Sequence, residues 1–86
     1  MSDRAEDEAN TAILDLLAKR KPGKTICPSE AARALAGERG RPDDWRDDMA
    51  AAHEAARRLA EKGRVRLTQR GEKVTKPVGA YRIKAR

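Results

Sequence analysis

Hydrophobic positions recur with a helical period through the first two thirds of the chain and alternate in the last third. Ala9, Ile13, Leu16 and Leu17 share one helical face, with Leu14 at its edge, and predict a first helix over residues 5–20. Acids open it (Glu6, Asp7, Glu8) and bases close it (Lys19, Arg20, Lys21), the arrangement a helix dipole favours. Pro22-Gly23 ends it, and residues 24–27 read as a short β-like piece centred on Ile26. A second helix starts at Pro28-Ser29-Glu30. Either Ser29 is its N-cap, or Cys27 precedes Pro28 at the first helical position; both fit known start chemistry. Ala31, Ala32 and Leu35 face inward, Gly37 is expected to stop the helix, and residues 38–42 form a loop.

Asp43 or Asp44 is expected to cap a third helix that runs to Lys62 and stops at Gly63. Trp45, Met49, Ala52, Ala56 and Leu59 form its inward stripe. Alternation then takes over. Val65 and Leu67 face in on one strand, Tyr81 and Ile83 on another. Arg70-Gly71 is a turn signal, with Gly71 supplying a positive φ. Residues 72–75 either pair directly across that turn or belong to a longer wing ending near Gly79. The order is helix, short strand, helix, helix, strand, wing, strand. It predicts an α+β fold: a small winged helix-turn-helix, three helices with a short three-stranded antiparallel sheet. Residues 1–8 are expected to be a flexible acidic start, and residues 9–86 a single domain.

Charge divides the chain in the same place. Residues 62–86 hold nine basic side chains and one acid, Glu72, a net of about +8. The first 61 residues carry 11 basic and 13 acidic groups. The net charge of +6 therefore averages two different surfaces. The apolar residues include 16 alanines, so the core is thin and offers little volume for a buried substrate. Cys27 stands alone, which excludes an intrachain disulfide and fits a reducing cytoplasm. No apolar run approaches the ~18 residues of a membrane helix.

Thr25-Ile26-Cys27-Pro28-Ser29-Glu30-Ala31-Ala32-Arg33-Ala34-Leu35, then Trp45-Arg46 with Met49 downstream, then Gly63-Arg64-Val65-Arg66-Leu67-Thr68-Gln69-Arg70-Gly71 together resemble an uncharacterised bacterial family, domain of unknown function 3253. The likeness runs from about Ile13 to Lys84. Ala80 stands where the family pattern would place proline. The resemblance implies a winged-helix-like fold and no activity.

The residues point away from catalysis. His53, the one histidine, has no Asp or Ser partner in a local motif. Asp43, Asp44, Asp47 and Asp48 lack EF-hand spacing, and acids in a first helical turn have a dipole role. No enzyme, metal or cofactor is expected. The basic end points instead to a polyanion. Arg64, Arg66, Thr68 and Arg70 project to one side of a strand, Arg82 and Lys84 do the same on its neighbour, and Lys73 and Lys76 sit at the turn. On helix three, Arg46, Ala50, His53 and Arg57 form a basic stripe; beside it, Glu54, Arg58 and Glu61 pair with one another at helical spacing. The candidate nucleic-acid-binding residues are thus Arg46, His53, Arg57, Arg64, Arg66, Arg70, Lys73, Lys76 and Arg82. No aromatic side chain interleaves with them, against a base-stacking single-strand binder. The leading expectation is a duplex DNA binder that contacts mainly phosphates through the wing. The alternatives are a protein interaction module, docking a basic partner on the acidic start of helix three, and an RNA binder using the same wing.

Overall fold

A computed structural model describes residues 4–21, 23–75, 77 and 79–85. Three α-helices, one 3-10 segment and a four-stranded antiparallel sheet follow one another: α1 Arg4–Ala18, β1 Thr25–Ile26, α2 Pro28–Glu38, the 3-10 segment Pro42–Asp48, α3 Met49–Glu61, β2 Val65–Gln69, β3 Glu72–Val74 and β4 Arg82–Ala85. The fold is α+β, as the hydrophobic pattern indicates. Residues 4–8, expected to belong to a flexible start, lie in α1; residues 1–3 lie outside the described residues.

The sheet order is β1-β4-β2-β3. It has one strand more than the three expected, because the chain after Arg70-Gly71 folds straight back. Arg70 (φ 53°) and Gly71 (φ 83°) both take positive φ and make a two-residue hairpin that sets Gln69 opposite Glu72. Both central residues need the left-handed region in such a turn, so Gly71 alone does not make it.

Alternation assigns the two faces. Ile26, Ile83, Leu67 and Val74 are cross-strand partners and form one apolar row over all four strands. Helices α1 and α3 cover this row. Ile13, Ile26, Leu35, Leu67 and Ile83 are the largest fully buried side chains, and the alanines Ala31, Ala32, Ala52, Ala55 and Ala56 let the helices approach closely between them. The outward positions between these inward ones are polar.

Helix α1 closes at Ala18 rather than Arg20, and the end of α2 also differs from the expectation. Helix α2 passes through Gly37 and ends at Glu38. Gly40 (φ 74°) terminates it instead, with the Arg41 amide donating to the Ala36 carbonyl (2.9 Å) and the Gly40 amide to the Gly37 carbonyl (3.1 Å). The residue after the C-cap must adopt the left-handed region, and Gly40 holds that place. Gly63 (φ 74°) ends α3 in the same way, as expected, with the Arg64 amide donating to the Leu59 carbonyl at 2.8 Å. The start of α2 resolves in favour of Cys27 as N-cap with Pro28 at the first position.

The third helix is not continuous. Residues 42–48 form a 3-10 segment with a kink at Asp44 (φ −99°, ψ 23°), and α3 proper begins at Met49. Neither Asp43 nor Asp44 caps it. Ten residues therefore separate α2 from α3, more than the short loop expected. The cause is Asp48. Its carboxylate is buried, 4% exposed, and accepts a 2.6 Å hydrogen bond from Arg39 Nη1. Arg39 also donates to Glu8 Oε2 from Nε (3.3 Å) and Nη2 (3.1 Å). One guanidinium thus ties the end of α2 to α1 and to the start of α3, and fixes the path of the segment between.

Candidate nucleic-acid interface

The sheet turns a cationic face to solvent. Val65 and Leu67 point into the core, so Arg66 and Thr68 point out. On β4, Ile83 points in and Arg82 and Lys84 point out. Register then assembles two rows. Thr25, Lys84 and Arg66 are neighbours across β1, β4 and β2. Arg82, Thr68 and Lys73 are neighbours across β4, β2 and β3. Among the described residues, no carboxylate interrupts either row. Arg82 is held in place: Nε donates to Thr25 Oγ1 (2.8 Å) and Nη2 to the Thr25 carbonyl (3.2 Å). These two bonds leave the remaining guanidinium donors for a ligand. Arg66 stands directly opposite Lys84, a like-charge pair that weakens the sheet.

Arg64 precedes β2 and is exposed, and Arg70 is exposed at the hairpin tip. Lys76 lies outside the described residues. Arg64, Arg66, Arg70, Lys73 and Arg82 have no carboxylate at ion-pairing distance among the described residues. Three arginines of the helical layer differ: Arg20 pairs with Glu30 (2.8 Å), Arg39 with Glu8 and Asp48, and Arg57 with Glu54.

The helix-three candidates form no comparable surface. Arg57 Nη2 donates to both carboxylate oxygens of Glu54, at 2.8 and 2.7 Å. Arg58 approaches the same carboxylate at 3.8 Å. Glu54 therefore serves Arg57 first, not Arg58 as the helical spacing suggested. The Arg57 hydrogen bond holds the Glu54 carboxyl below the usual range, and Glu54 raises Arg57 in return. Arg46 lies over the Trp45 ring with its Cζ 4.5 Å from the ring centroid, and Arg33 of α2 does so at the same distance. Trp45 is half-buried against the core between these two guanidinium groups. Asp43, Asp44 and Asp47 remain exposed around it, whereas Asp48, the last of the four clustered aspartates, is turned into the protein.

His53 is exposed on α3, and its Nδ1 lies 2.7 Å from the Tyr81 hydroxyl, the rings 5.6 Å apart at 44°. Tyr81 is buried, and burial pushes its hydroxyl pKa up. The pair forms part of a cleft of about 830 Å³ lined also by Ala50 and Arg57 of α3 and by Leu67, Thr75 and Pro77. This partner of His53 was missed from the sequence because it lies 28 residues away. Nor do adjacent residues reveal Thr25 as the anchor of Arg82; that contact needs the β1–β4 register.

Among the described residues, no group of three or more His, Cys, Asp or Glu side chains is placed to hold a metal ion, and no helix is long and apolar enough to cross a membrane. The pattern that defines one protein family, described as protein of unknown function (DUF3253), matches residues 6–86. The chain belongs to that family. The match takes in every strand and helix α2 and α3 whole, so the basic sheet face and the hairpin both lie inside it. A comparison with curated proteins finds no match.

Proposed function

We propose that the protein is a winged helix-turn-helix that binds nucleic acid, chiefly the phosphates of duplex DNA, through its basic wing. The observation that carries this reading is the contrast between two layers. Arg20, Arg39 and Arg57 of the helical layer are paired with carboxylates and Arg33 and Arg46 lie over Trp45; Arg66, Arg70, Lys73 and Arg82 of the sheet and its hairpin are exposed and without carboxylate partners among the described residues. Unpaired like charges at this density weaken a fold, and a polyanion relieves them. The strand order supports the architecture. Strand β4 lies between β1 and β2 and β3 forms the far edge, so the β2–β3 hairpin stands where a wing would.

Electrophoretic retardation of a mixed-sequence 20-base-pair duplex tests the reading. Affinity is expected to be on the order of micromolar or weaker at physiological salt and to rise steeply as salt is lowered. Absence of retardation at low salt would overturn it. The exposed Asp43, Asp44 and Asp47 would then favour the second reading, a protein interaction module that docks a basic partner on the 3-10 segment. Preference for RNA over DNA of the same length would move the assignment to RNA.

A further inference from the structure

We infer that the DNA lies across the outer face of the sheet, on Arg66, Lys73, Arg82 and Lys84, and that helix α3 stays out of the groove. This rests on the nucleic-acid reading above and names its surface. The usual expectation for a helix-turn-helix is a recognition helix in the major groove, with its first residues at the base edges. Here those residues are the wrong ones for that task. The segment before α3 exposes Asp43, Asp44 and Asp47, and phosphates repel all three. Of the two arginines expected to compensate, Arg57 is held on both oxygens of Glu54 and Arg46 is stacked on Trp45. His53 is turned to Tyr81.

The opposite side of the molecule has the reverse character. The helices cover the inner face of the sheet, so its outer face is open. Four cations occupy it in two adjacent rows, Lys84 beside Arg66 and Arg82 with Lys73 flanking Thr68. Strands lie roughly 4.8 Å apart, which spreads these charges over three strands, about 10 Å. That is the scale of a groove wall, and side chains that reach phosphate need no base to recognise. Thr25 and Thr68 add hydroxyls within the same rows, and Thr25 fixes the Arg82 guanidinium before any ligand arrives. Binding through this face is independent of sequence.

Fluorescence anisotropy with a 20-base-pair mixed duplex, read across a salt series, tests the inference with two double variants. The wild type should give a slope of log K against log salt of about −3.6 from the four sheet cations at about 0.9 each, steeper where Arg70 adds a contact. Arg66→Gln with Lys84→Gln should flatten the slope by about 1.8 and weaken binding on the order of tenfold per lost contact at 50 mM salt. Arg46→Gln with Arg57→Gln should leave slope and affinity within about twofold of wild type, since neither charge meets a phosphate. Circular dichroism establishes that each variant is folded. If the sheet variant does not fold, Lys84→Gln alone should still flatten the slope by about 0.9, and Arg66→Lys should keep it. A larger loss in the helix variant, or no loss in either while the wild type binds, overturns the inference and leaves nucleic-acid binding standing. A wild type that binds no duplex overturns both. Tighter binding to duplex RNA overturns the choice of DNA.

Discussion

Arg70 sits where the backbone asks for a different residue. Its φ of 53° is the one positive value outside glycine among the described residues, at a turn position that favours asparagine or glycine. Arg70→Asn should therefore raise stability, by about 0.5–1 kcal/mol in urea denaturation, because the left-handed region strains an ordinary side chain. The same change should weaken DNA binding. A variant that is both more stable and unaltered in affinity would show that the arginine serves no ligand. Tyr81 gives a second test at this scale. Its pKa in the folded protein is raised by burial, so its contribution to stability is whole below the ordinary tyrosine value of about 10 and falls away as pH rises through the folded value. Denaturation measured from pH 8 to 11.5 should show that decline. Tyr81→Phe should lose about 1 kcal/mol at neutral pH, with the His53 bond, and should flatten the alkaline decline. An unchanged alkaline limb in Tyr81→Phe would place the titration elsewhere.

At the scale of elements, two glycines of one helix end should respond in opposite directions. Gly37 lies within α2, and an added Cβ meets no atom within 4 Å. Gly37→Ala should stabilise by about 0.8–1 kcal/mol. Gly40 also has room, but its φ of 74° is the left-handed cap, and Gly40→Ala should destabilise by about 1–2 kcal/mol. Thermal denaturation of the pair checks which glycine ends the helix. The reading of Gly37 as the stop shows where local sequence falls short. Both glycines carry the same signal, and the choice is made by Arg39, whose bonds to Glu8 and Asp48 draw the last turn three residues further. The break at Asp44 has the same origin. An aspartate before an apolar stripe reads as a cap, and only the packed structure shows Asp48 buried beneath it. By contrast, the inward row Ile26, Leu67 and Ile83 was legible, because strict alternation leaves a strand one way to face. So was the outward set on the same strands. What alternation does not provide is the register that puts Arg66 opposite Lys84. That pair adds a further test: Arg66→Thr should stabilise the sheet by about 0.2–1 kcal/mol while weakening DNA binding.

For the whole molecule, the division seen along the sequence becomes a division in space. The more acidic part forms a helical layer tied by the Arg20, Arg39 and Arg57 ion pairs; the basic end supplies most of a sheet whose outer face and hairpin are cationic. The core between them is small, and much of it is alanine, so the domain gives its surface rather than a cavity to function. Amide chemical-shift mapping during titration with a mixed-sequence DNA duplex at low salt tests this directly. The expected result is a set of salt-sensitive shifts on β2, the Arg70-Gly71 hairpin, β4 and Thr25, with the amides of α3 from Ala50 to Arg58 undisturbed. No shifts at all, or shifts centred on α3 with the sheet silent, would contradict it.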